Sequence, residues 1–492
     1  MTAPECPTVP IIGLEIHVQL RTETKMFCGC PVRFEAPPNS CVCPVCLGHP
    51  GALPVVNEHA VTLGIRTGLA LNCAIASFTK WDRKSYYYPD MPKNYQISQY
   101  DLPICGPGHF DIDVAGRVQR IRIRRAHLEE DAGKSIHAGP GGTLVDLNRA
   151  GTPLLEIVTE PDFHSAEEAY VFCVELHRLV VHLGVSEAVM KKGQMRFEPN
   201  VNVRICADGG DVATPIAEIK NLNSFKAVRR AIEFDVDRQI AAWRNDPGYV
   251  RSKAPNENRG YNDERGITEF QRPKEDAHDY RYFPDPDLLP LNISESRLVR
   301  IRADLPELPI AREKRLVQQY GLAPGDARTL LGDRATADLF EQVVGLGAPP
   351  LITAKQFVNI WAQLAHDRAT SLAALPVSPQ HLAALGVLVD SGAVNKTAAN
   401  RIAEAVLDRD EPPDQLAVTL GLLQVQDADA TQAWVDQALA ANTDAIEDIR
   451  KHPKKIKAVT GFLRGQVMKQ SGGKADPQLV DRLLQERISE LL

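Results

Sequence analysis

The chain contains 492 residues, which is too many for a single hydrophobic core and predicts two to four domains. Its composition, 44% hydrophobic and 24% charged, is typical of soluble globular proteins, and no apolar run is long enough to cross a bilayer. The net charge of −7 excludes a globally basic surface, so contact with nucleic acid would require a local basic patch.

The amino-terminal segment predicts a cytoplasmic protein that begins with a β-strand. The first 20 residues contain no Lys or Arg and no long apolar core, which argues against a secretory or transit peptide. Residues 11–20, IIGLEIHVQL, alternate as a strand does: the even-numbered apolar residues would face the core, and Glu15, His17 and Gln19 would share the other face. Such a polar row fits an exposed sheet face or the lining of a cleft.

Five of the ten cysteines lie between positions 28 and 46. In a large chain without a secretory signal, this clustering favours a metal site over disulfides. Cys28 and Cys30 form one close pair and Cys43 and Cys46 another, which suits a closed, structural Zn²⁺ site, with Cys41 as an alternative to Cys43. Reduced buried thiols are the other interpretation, which the surrounding Gly, Pro and Asn disfavour because they predict a loop.

Residues 60–71 have helical spacing, and a polar, aromatic segment follows at residues 81–101, WDRKSYYYPDMPKNYQISQYD. One interpretation is a packed loop with tyrosines at its rim. The other is a surface for phosphates and stacked bases, because Arg83, Lys84 and Lys93 lie among aromatic residues.

An acidic stretch at residues 125–162 carries four Glu and three Asp, interleaved with apolar residues at strand-like spacing. Strand parity groups His127 with Glu129 and, further on, Glu156 with Glu160. Carboxylates on one face repel each other unless a cation or proton lies among them. Hard divalent cations such as Mg²⁺ prefer oxygen ligands. These residues alone support a Mg²⁺ site and a solvated acidic face equally.

The middle of the chain predicts two helices and a loop. Ser165 and Glu168 frame a capping box that predicts a helix up to Gly184. A second helix with an apolar stripe begins at Phe225. Residues 244–266 are rich in Asn, Gly, Arg and Pro, and they predict a long loop.

Beyond about residue 297 the strand patterns fade, and helix starts recur, for example at Thr353 and at Ser378. This half is predicted to be all-helical, as two small modules with a hinge near residues 408–413. Residues 449–474 contain eight Lys or Arg and no acid. A solvated helix face is one interpretation; we favour a phosphate-contacting patch because the bias is so one-sided. The residues predicted to contact nucleic acid are Lys454, Lys455 and Lys457.

Common catalytic motifs are absent from the sequence. The P-loop is incomplete, since the position five before Gly133 is Leu128, and there is no G-x-S-x-G motif. No cysteine has the local context of a glutaminase nucleophile, so any ammonia that this protein uses would come from another protein.

Motifs at seven places run along the chain in the order GLEIHVQL with TKMFC, CPVCLG-x-PG, DRKSYYYPDMPK, HLEEDAGK, VDLNRAGTPLLEIVTEPD, EIKNLNSF and DYRYFP. They resemble the B subunit of the aspartyl/glutamyl-tRNA amidotransferase, and the resemblance extends to a helical tail that ends GFLRGQVMK. Together, patterns and resemblance predict an α+β fold. A catalytic cradle domain with an antiparallel or mixed sheet would span 1–296 and include the zinc loop 28–46. An all-helical linker domain would span 297–407, and a small all-helical, tRNA-binding tail domain would span 408–492.

The resemblance implies a reaction, its cofactors and its partners. The family's B subunit uses ATP to phosphorylate the side-chain carboxylate of Glu-tRNA(Gln) or Asp-tRNA(Asn), and ammonia then displaces phosphate to give the amide. ATP, Mg²⁺ and structural Zn²⁺ are the implied cofactors. The implied partners are an amidase-like A subunit that makes ammonia from glutamine, a small C subunit, the misacylated tRNA and the synthetase that misacylates it. The alternative function is a non-catalytic, zinc-stapled tRNA adaptor, which acid-lined strand faces disfavour because they would repel tRNA phosphates.

The resemblance also implies the metal ligands. The Mg²⁺ ligands fall on His17, Glu129 and Glu156, and Glu15 beside His17 joins the catalytic set. Because nitrogen suits softer metals, the alternative role for His17 is to hold a metal-bound water. The zinc ligands fall on Cys28, Cys30, Cys43 and Cys46.

Lys84 matches the family's active-site lysine and would clamp an ATP phosphate, with Arg83 beside it. Two places depart from the family. Where the family commonly reads MRCD-x-N, this chain reads MRFEPN, so the carboxylate lies one methylene further out, on the candidate catalytic residue Glu198. The family's Glu-Thr-Arg is Glu-Asn-Arg at residues 257–259.

Overall fold

The computed structural model describes residues 6–137, 142–206, 210–273, 280–424, 428–452 and 455–491. It divides into two compact units, Met1–Pro309 and Ile310–Leu492. Within the described ranges, we find no helix with the length and apolar character that a membrane span requires.

All the strands that the structure describes lie in the first unit. They are β1 (Thr8–Gln19), β2 (Phe78–Thr79), β3 (Asp82–Ser85), β4 (Tyr95–Ser98), β5 (Gly108–Val114), β6 (Arg117–Glu130), β7 (Lys134–His137), β8 (Thr143–Asp146), β9 (Pro153–Thr159), β10 (Met195–Ile205), β11 (Val212–Ala213), β12 (Ala217–Lys220), β13 (Glu257–Asn262), β14 (Ile267–Pro273), β15 (Phe283–Pro284) and β16 (Leu291–Asn292). Its helices are α1 (Glu58–Ala70), α2 (Ala166–His182), α3 (Phe225–Asn245) and α4 (Glu295–Ala303), with a 3₁₀ turn at Met190–Lys192.

The described part of the second unit is helical. Its helices are α5 (Pro309–Tyr320), α6 (Pro324–Leu330), α7 (Arg334–Gly345), α8 (Pro350–Gln356), α9 (Ala362–Asp367), α10 (Pro379–Asp390), α11 (Lys396–Arg409), α12 (Pro413–Thr419), α13 (Ala428–Ala441), α14 (Thr443–Lys451), α15 (Ile456–Gln470) and α16 (Pro477–Leu491). One buried apolar cluster draws on residues 316–417 and another on residues 435–488. The predicted α+β fold, a sheet domain followed by a helical region, is therefore confirmed. The finer domain boundaries at residues 296 and 407 stay predictions.

One large mixed sheet organises the first unit, with strands in the order β14-β13-β12-β10-β1-β9-β6-β5 and β11 beside β10. Only β12 and β13 are parallel along this order, and the other neighbouring pairs are antiparallel. The amino-terminal strand therefore lies between two strands that come much later in the chain. Smaller sheets join β15-β3-β4, β16-β2 and β7-β8.

Alternation along β1 separates a core face from a polar face, as the sequence predicts. Leu14, Ile16 and Val18 are at most 1% exposed, whereas Glu15 and His17 are only partly buried. Three helices cover the apolar face, since α1 packs on β6, α2 on β5 and α3 on β10. The polar residues at alternate positions consequently project from the opposite face of the sheet.

The predicted helix starts are confirmed at two capping residues and wrong at a third. Ser165 Oγ accepts a hydrogen bond from the Glu168 amide at 3.2 Å at the start of α2, and Ser378 caps α10 in the same way. A cap of this kind contributes about 1 kcal/mol. Helix α8 begins at Pro350, so Thr353 is not a helix start. Proline fits the first helical position because it has no N–H to leave unpaired.

The predicted loop at residues 244–266 is wrong at residues 244–245, where α3 runs to Asn245, and at residues 257–262, which form β13. The buried side chain of Arg259 on β13 belongs to a hydrogen-bonded network. Arg259 donates to Thr268 Oγ1 at 3.0 Å, and Thr268 donates to the fully buried Asp235 on α3 at 2.7 Å. The two observed strands in this region, β13 and β14, thus extend the sheet despite a polar, glycine-containing sequence.

Candidate active site and metal centre

Strand register brings three distant acidic and imidazole residues together on the polar face of the sheet. Glu156 on β9 lies opposite His17 on β1 and opposite His127 on β6. Directly opposed residues on antiparallel strands have Cβ atoms about 5 Å apart on one face. Glu129 follows His127 by two residues and therefore projects from the same face.

The donor atoms of His17, Glu129 and Glu156 all lie within 4.8 Å of one another. His17 Nε2 is 3.6 Å from Glu129 Oε1 and 3.7 Å from Glu156 Oε2. Two carboxylates and an imidazole at these separations leave space for a cation among them. We call this group the metal-type triad.

His127 packs behind the metal-type triad and balances part of its charge. Its Nε2 is 3.1 Å from Glu156 Oε2 and 3.8 Å from Glu129 Oε2. Burial disfavours the charged imidazole, but Glu156 and Glu129 outweigh burial and raise the pKa of His127 to about 9. Burial likewise opposes ionisation of Glu156, yet His127 keeps the pKa of that carboxyl well below its usual value. The sequence assigned no role to His127, although its spacing from Glu129 places it on the same face.

A second acidic group lies beside the triad and already contains a cation. Carboxylate oxygens of Glu15, Glu198 and Glu218 lie within 4.8 Å of one another. Lys220 Nζ is 2.8 Å from Glu198 Oε2 and 3.1 Å from Glu218 Oε1. Burial opposes ionisation of Glu198, but Lys220 and His17 lower its pKa to about 2. The structure thus brings the predicted Glu15 and Glu198 together. It adds Glu218 and Lys220, which have no predicted role.

Lys84 reaches the same region from β3. Its ammonium lies 4.6 Å from the centroid of the Tyr280 ring. Burial lowers the pKa of Lys84, but Tyr282, Glu129 and Glu156 outweigh it and hold the pKa above the usual value. Lys84, both acidic groups and the tyrosines line one cleft of about 490 Å³.

Four of the clustered cysteines converge in the first unit. The sulfur atoms of Cys28, Cys30, Cys43 and Cys46 all lie within 4.8 Å of one another. Cys41 lies outside this group, and its amide donates to Asn148 Oδ1 at 2.8 Å. Of the two alternatives, Cys43 is therefore the one whose thiol joins the cluster.

One thiol of the cysteine cluster ionises readily, whereas the hydrogen bond to Cys46 raises the pKa of Cys28 and burial raises the pKa of Cys30. A hydrogen bond from Cys28 lowers the pKa of the Cys46 thiol to about 4, with help from the Cys43 amide and the Lys25 ammonium against burial. Lys25 is 1% exposed, and its Nζ lies 3.6 Å from Cys46 Sγ. Four sulfur donors with one ready thiolate form the donor set of a closed zinc site, which has structural rather than catalytic chemistry.

Two family models match this chain in order along its length. The description "GatB/GatE catalytic domain" matches residues 10–299, and the description "GatB domain" matches residues 338–488. The chain belongs to the GatB/GatE family. The resemblance seen in the sequence motifs is confirmed.

Curated relatives span nearly the full length of this GatB-family chain. A protein of Caldanaerobacter subterraneus subsp. tengcongensis is 44% identical over 480 residues, which cover 98% of this chain and 99% of the relative. A protein of Rhodopirellula baltica is 44% identical over 491 residues, which cover 99% of this chain and 98% of the relative. A protein of Geobacter sulfurreducens is 45% identical over 482 residues, which cover 97% of this chain and 98% of the relative. Each is named as the B subunit of an aspartyl/glutamyl-tRNA(Asn/Gln) amidotransferase.

The cleft and the cysteine cluster both lie within the stretch that matches the catalytic domain of the GatB/GatE family. Arg83, predicted to contact ATP, is not brought to this cleft. Its guanidinium is 2.8 Å from Asp285 Oδ2 and 2.8 Å from Asp287 Oδ2. The pleat explains the difference, because consecutive residues of a strand face opposite sides.

The predicted RNA-contacting lysines lie in the stretch that matches the GatB domain. Lys455 forms a 3.0 Å ion pair with Asp448, and Lys457 is exposed near Arg464 beside a shallow cavity. Lys454 lies outside the described residues.

Replacing Cys43 with Ser is expected to abolish stoichiometric zinc binding, because hydroxyl oxygen is a poor substitute for a thiolate in a closed site. Metal content per chain, measured by mass spectrometry after purification, checks this. Cys41→Ser is the matched control and should retain the metal. Zinc lost from Cys41→Ser but kept by Cys43→Ser would contradict the observed geometry.

Proposed function

We propose that this chain is the subunit of a tRNA-dependent amidotransferase that activates a side-chain carboxylate with ATP and converts it to an amide. The substrate is Glu-tRNA(Gln), Asp-tRNA(Asn) or both. One observation supports this proposal above all. The metal-type triad and Lys84 converge in one cleft of a chain whose full-length relatives carry the amidotransferase name.

The first step joins two anions, so the site must supply positive charge. A carboxylate oxygen of the aminoacyl group attacks the γ-phosphorus of ATP, an O–P bond forms, and the bond to the ADP oxygen breaks. Lys84 is positioned to hold a phosphate oxygen, and its raised pKa keeps it charged at neutral pH. The protonated His127 keeps Glu156 ionised from behind.

His17, Glu129 and Glu156 are proposed to hold Mg²⁺. Two carboxylates and one imidazole within 4.8 Å fit that ion in charge, and the carboxylates fit it in donor type. When bound, Mg²⁺ supplies charge neutralisation at the phosphates. Glu129 is 3% exposed and Ser98 Oγ donates to it at 3.4 Å, so this ligand is fixed in place by the protein.

In the second step, ammonia attacks the acyl phosphate carbon and inorganic phosphate leaves. Glu15 and Glu198 are proposed to act here, as anions that hold an ammonium ion, which passes one proton to water before attack, and the nitrogen then releases a second proton to the leaving phosphate. The low pKa of Glu198 keeps that carboxylate charged at any physiological pH. Asn200 Nδ2 donates to Glu15 Oε1 at 2.9 Å and orients it.

We further propose that an amidase-like A subunit supplies the ammonia, that a small C subunit joins the assembly, and that the cysteine cluster holds a structural zinc. The decisive assay combines the purified assembly with ATP, glutamine and each misacylated tRNA, and scores Gln-tRNA and Asn-tRNA. Amide that requires ATP, and that persists when ammonium chloride replaces glutamine, is the expected result. ATP-dependent amide formation that survives both Glu129→Gln and Glu156→Gln would favour the adaptor function, in which catalysis lies in other subunits.

Replacing Lys454, Lys455 and Lys457 with Ala is expected to weaken tRNA binding and to flatten its salt dependence. Each lost phosphate contact should reduce the slope of log K against log salt by about one. The ion pair with Asp448 should make the contribution of Lys455 smaller than that of a lysine without an acidic partner. Exposed Lys253 in the first unit is the control, and Lys253→Ala should leave the slope unchanged. An unchanged slope in the triple variant would remove the tail patch from the proposal.

A further inference from the structure

A groove of about 550 Å³ in the first unit adjoins the cleft, and none of the steps above uses it. We call it the basic groove. Among its basic and aromatic lining residues are Arg33, Phe34, Lys134, Arg149, Lys191 and Lys192. Arg196, Glu198 and Lys220 line both the groove and the cleft, so the two cavities meet there. A molecule that lies in the groove can therefore place one end in the cleft.

Cations outnumber acids in the basic groove, whose acidic lining residues are Asp146 and Glu198, although the whole chain is acidic. Arg33, Lys134, Lys191 and Lys192 are exposed, and none of them forms a salt bridge with any residue that the structure describes. Four cations without carboxylate partners on one surface attract a polyanion. They contrast with the net charge of −7 of the chain.

The acids at the junction of groove and cleft are ion-paired with cations that line both cavities. Lys220 pairs with Glu198 at 2.8 Å, and Arg196 pairs with Asp131 at 3.0 Å. Burial opposes the charge of Arg196, but Asp131 raises its pKa, so the pair stays ionised. Lys220 also pairs with Glu218 at 3.1 Å, so the junction carries no excess positive charge, and phosphates would bind the unpaired cations within the groove itself.

An exposed aromatic ring stands among these cations. Phe34 is 60% exposed, and Lys192 Nζ lies 5.0 Å from its ring centroid. Cations that follow a backbone, with an aromatic face between them, are the elements that bind single-stranded nucleic acid. Phe34 thus has a free face on which a base can stack.

The segment that carries Phe34 is fastened to the groove wall. It lies between Cys30 and Cys43 of the sulfur cluster. The Asn39 amide N–H donates to Asp146 Oδ1 at 3.0 Å, and Asn148 Nδ2 donates to the Pro37 carbonyl at 2.7 Å. A stacking residue on an anchored loop loses less conformational entropy when its ligand binds.

We propose that the basic groove binds the unpaired 3′-terminal nucleotides of the aminoacyl-tRNA, with phosphates on Lys191, Lys192 and Arg33 and a base stacked on Phe34. This inference rests on the proposed function, because the aminoacyl group is attached to the terminal ribose and must reach the metal-type triad. It adds the path by which the RNA enters.

The test measures binding of the purified assembly to intact aminoacyl-tRNA and to the same tRNA lacking its last four nucleotides. Phe34→Ala is expected to weaken binding of the intact tRNA about tenfold, the usual size of a lost stacking contact. It should leave the affinity for the truncated tRNA unchanged. Lys191→Ala with Lys192→Ala should behave in the same way and should also lower the salt slope for the intact tRNA alone. Phe270→Ala is the matched control, since Phe270 is 56% exposed and lies outside both linings.

Kinetics separate this inference from the proposed function. For Phe34→Ala, KM for aminoacyl-tRNA should rise about tenfold while kcat at saturation stays within about twofold, because the triad is intact. If the wild-type assembly forms no ATP-dependent amide, the proposed function fails. If the wild type forms amide but Phe34→Ala and the lysine variants bind both tRNAs like the wild type, the basic groove assignment alone is overturned. A rise confined to KM for ATP would assign the groove to nucleotide and would also overturn it.

Discussion

Glu156→Gln is expected to abolish ATP-dependent amide formation, with a loss of at least about 10²–10³-fold. The substitution keeps the shape of the side chain but removes a negative charge that faces His17 at 3.7 Å and His127 at 3.1 Å. Glu129→Gln should have a similar effect, because it removes the other carboxylate of the metal-type triad. Amide yield from misacylated tRNA with ATP and ammonium chloride measures both losses independently of any glutaminase.

Controls distinguish a lost metal site from a damaged fold. Leaving a buried His127 cation without its partner can cost about 3–5 kcal/mol, so thermal unfolding must be measured on each variant. A folded Glu156→Gln protein should also require much more Mg²⁺ for half-maximal residual activity. Glu160→Gln is the matched substitution nearby, since Glu160 is absent from the cleft lining and pairs at 2.9 Å with exposed Arg124 at the edge of the cleft. Full activity in both Glu129→Gln and Glu156→Gln would refute the triad.

The faces of single strands could be predicted from the sequence because alternation is a local property. The parity of residues 11–20 places Glu15 and His17 correctly, and parity also separates Glu129 from Glu130. Glu130 indeed points elsewhere: it is 2% exposed, pairs with Lys93 and accepts the Ile97 amide at 2.9 Å. Its role is to hold β4 rather than to face the cleft.

The order of strands could not be predicted from local patterns. Pairing of β1 with β10 brings Glu15 opposite Glu198, and pairing of β10 with β12 adds Glu218 beyond them. These contacts join residues far apart in sequence, so the periodicity of a single segment cannot predict them. His127 and Lys220 escaped prediction for the same reason: their roles depend on charges that neighbouring strands supply.

Strands with polar sequences are also difficult to predict, as the missed strand β13 shows. Residues 257–262 contain Asn, Gly and Arg, which favour loops, yet β13 pairs with β12 and β14 through its backbone. Tertiary contacts override weak strand propensity when partners exist for the polar side chains, as Asp235 and Thr268 provide for Arg259. The cysteine cluster, by contrast, was predictable because short spacings bring thiols together without knowledge of the sheet.

Lys84→Met and Arg83→Met are expected to have opposite consequences, although the two residues are adjacent. Lys84→Met should lower kcat for amide formation by about 10²–10³-fold, because it removes a cation that faces Glu129 and Glu156 in the cleft. Its thermal stability should change little, since Met preserves the apolar stem against Tyr280 and no longer buries a charge. Arg83→Met should leave kcat near the wild-type value but destabilise the first unit by about 3–5 kcal/mol, because Asp285 is fully buried and would lose its partner.

Measurements of kcat and of the unfolding midpoint on both variants test this prediction. We expect only kcat to fall in Lys84→Met and only the unfolding midpoint to fall in Arg83→Met. The two variants differ in this way because the strand pleat directs Lys84 into the cleft and Arg83 towards Asp285 and Asp287. Loss of kcat in Arg83→Met without loss of stability would return Arg83 to the ATP-binding set. Wild-type kcat in a folded Lys84→Met protein would show that the cleft neutralises phosphate charge without this ammonium. The positive charge that neutralises the phosphates would then come from the metal proposed to be held by the triad and from His127 behind it.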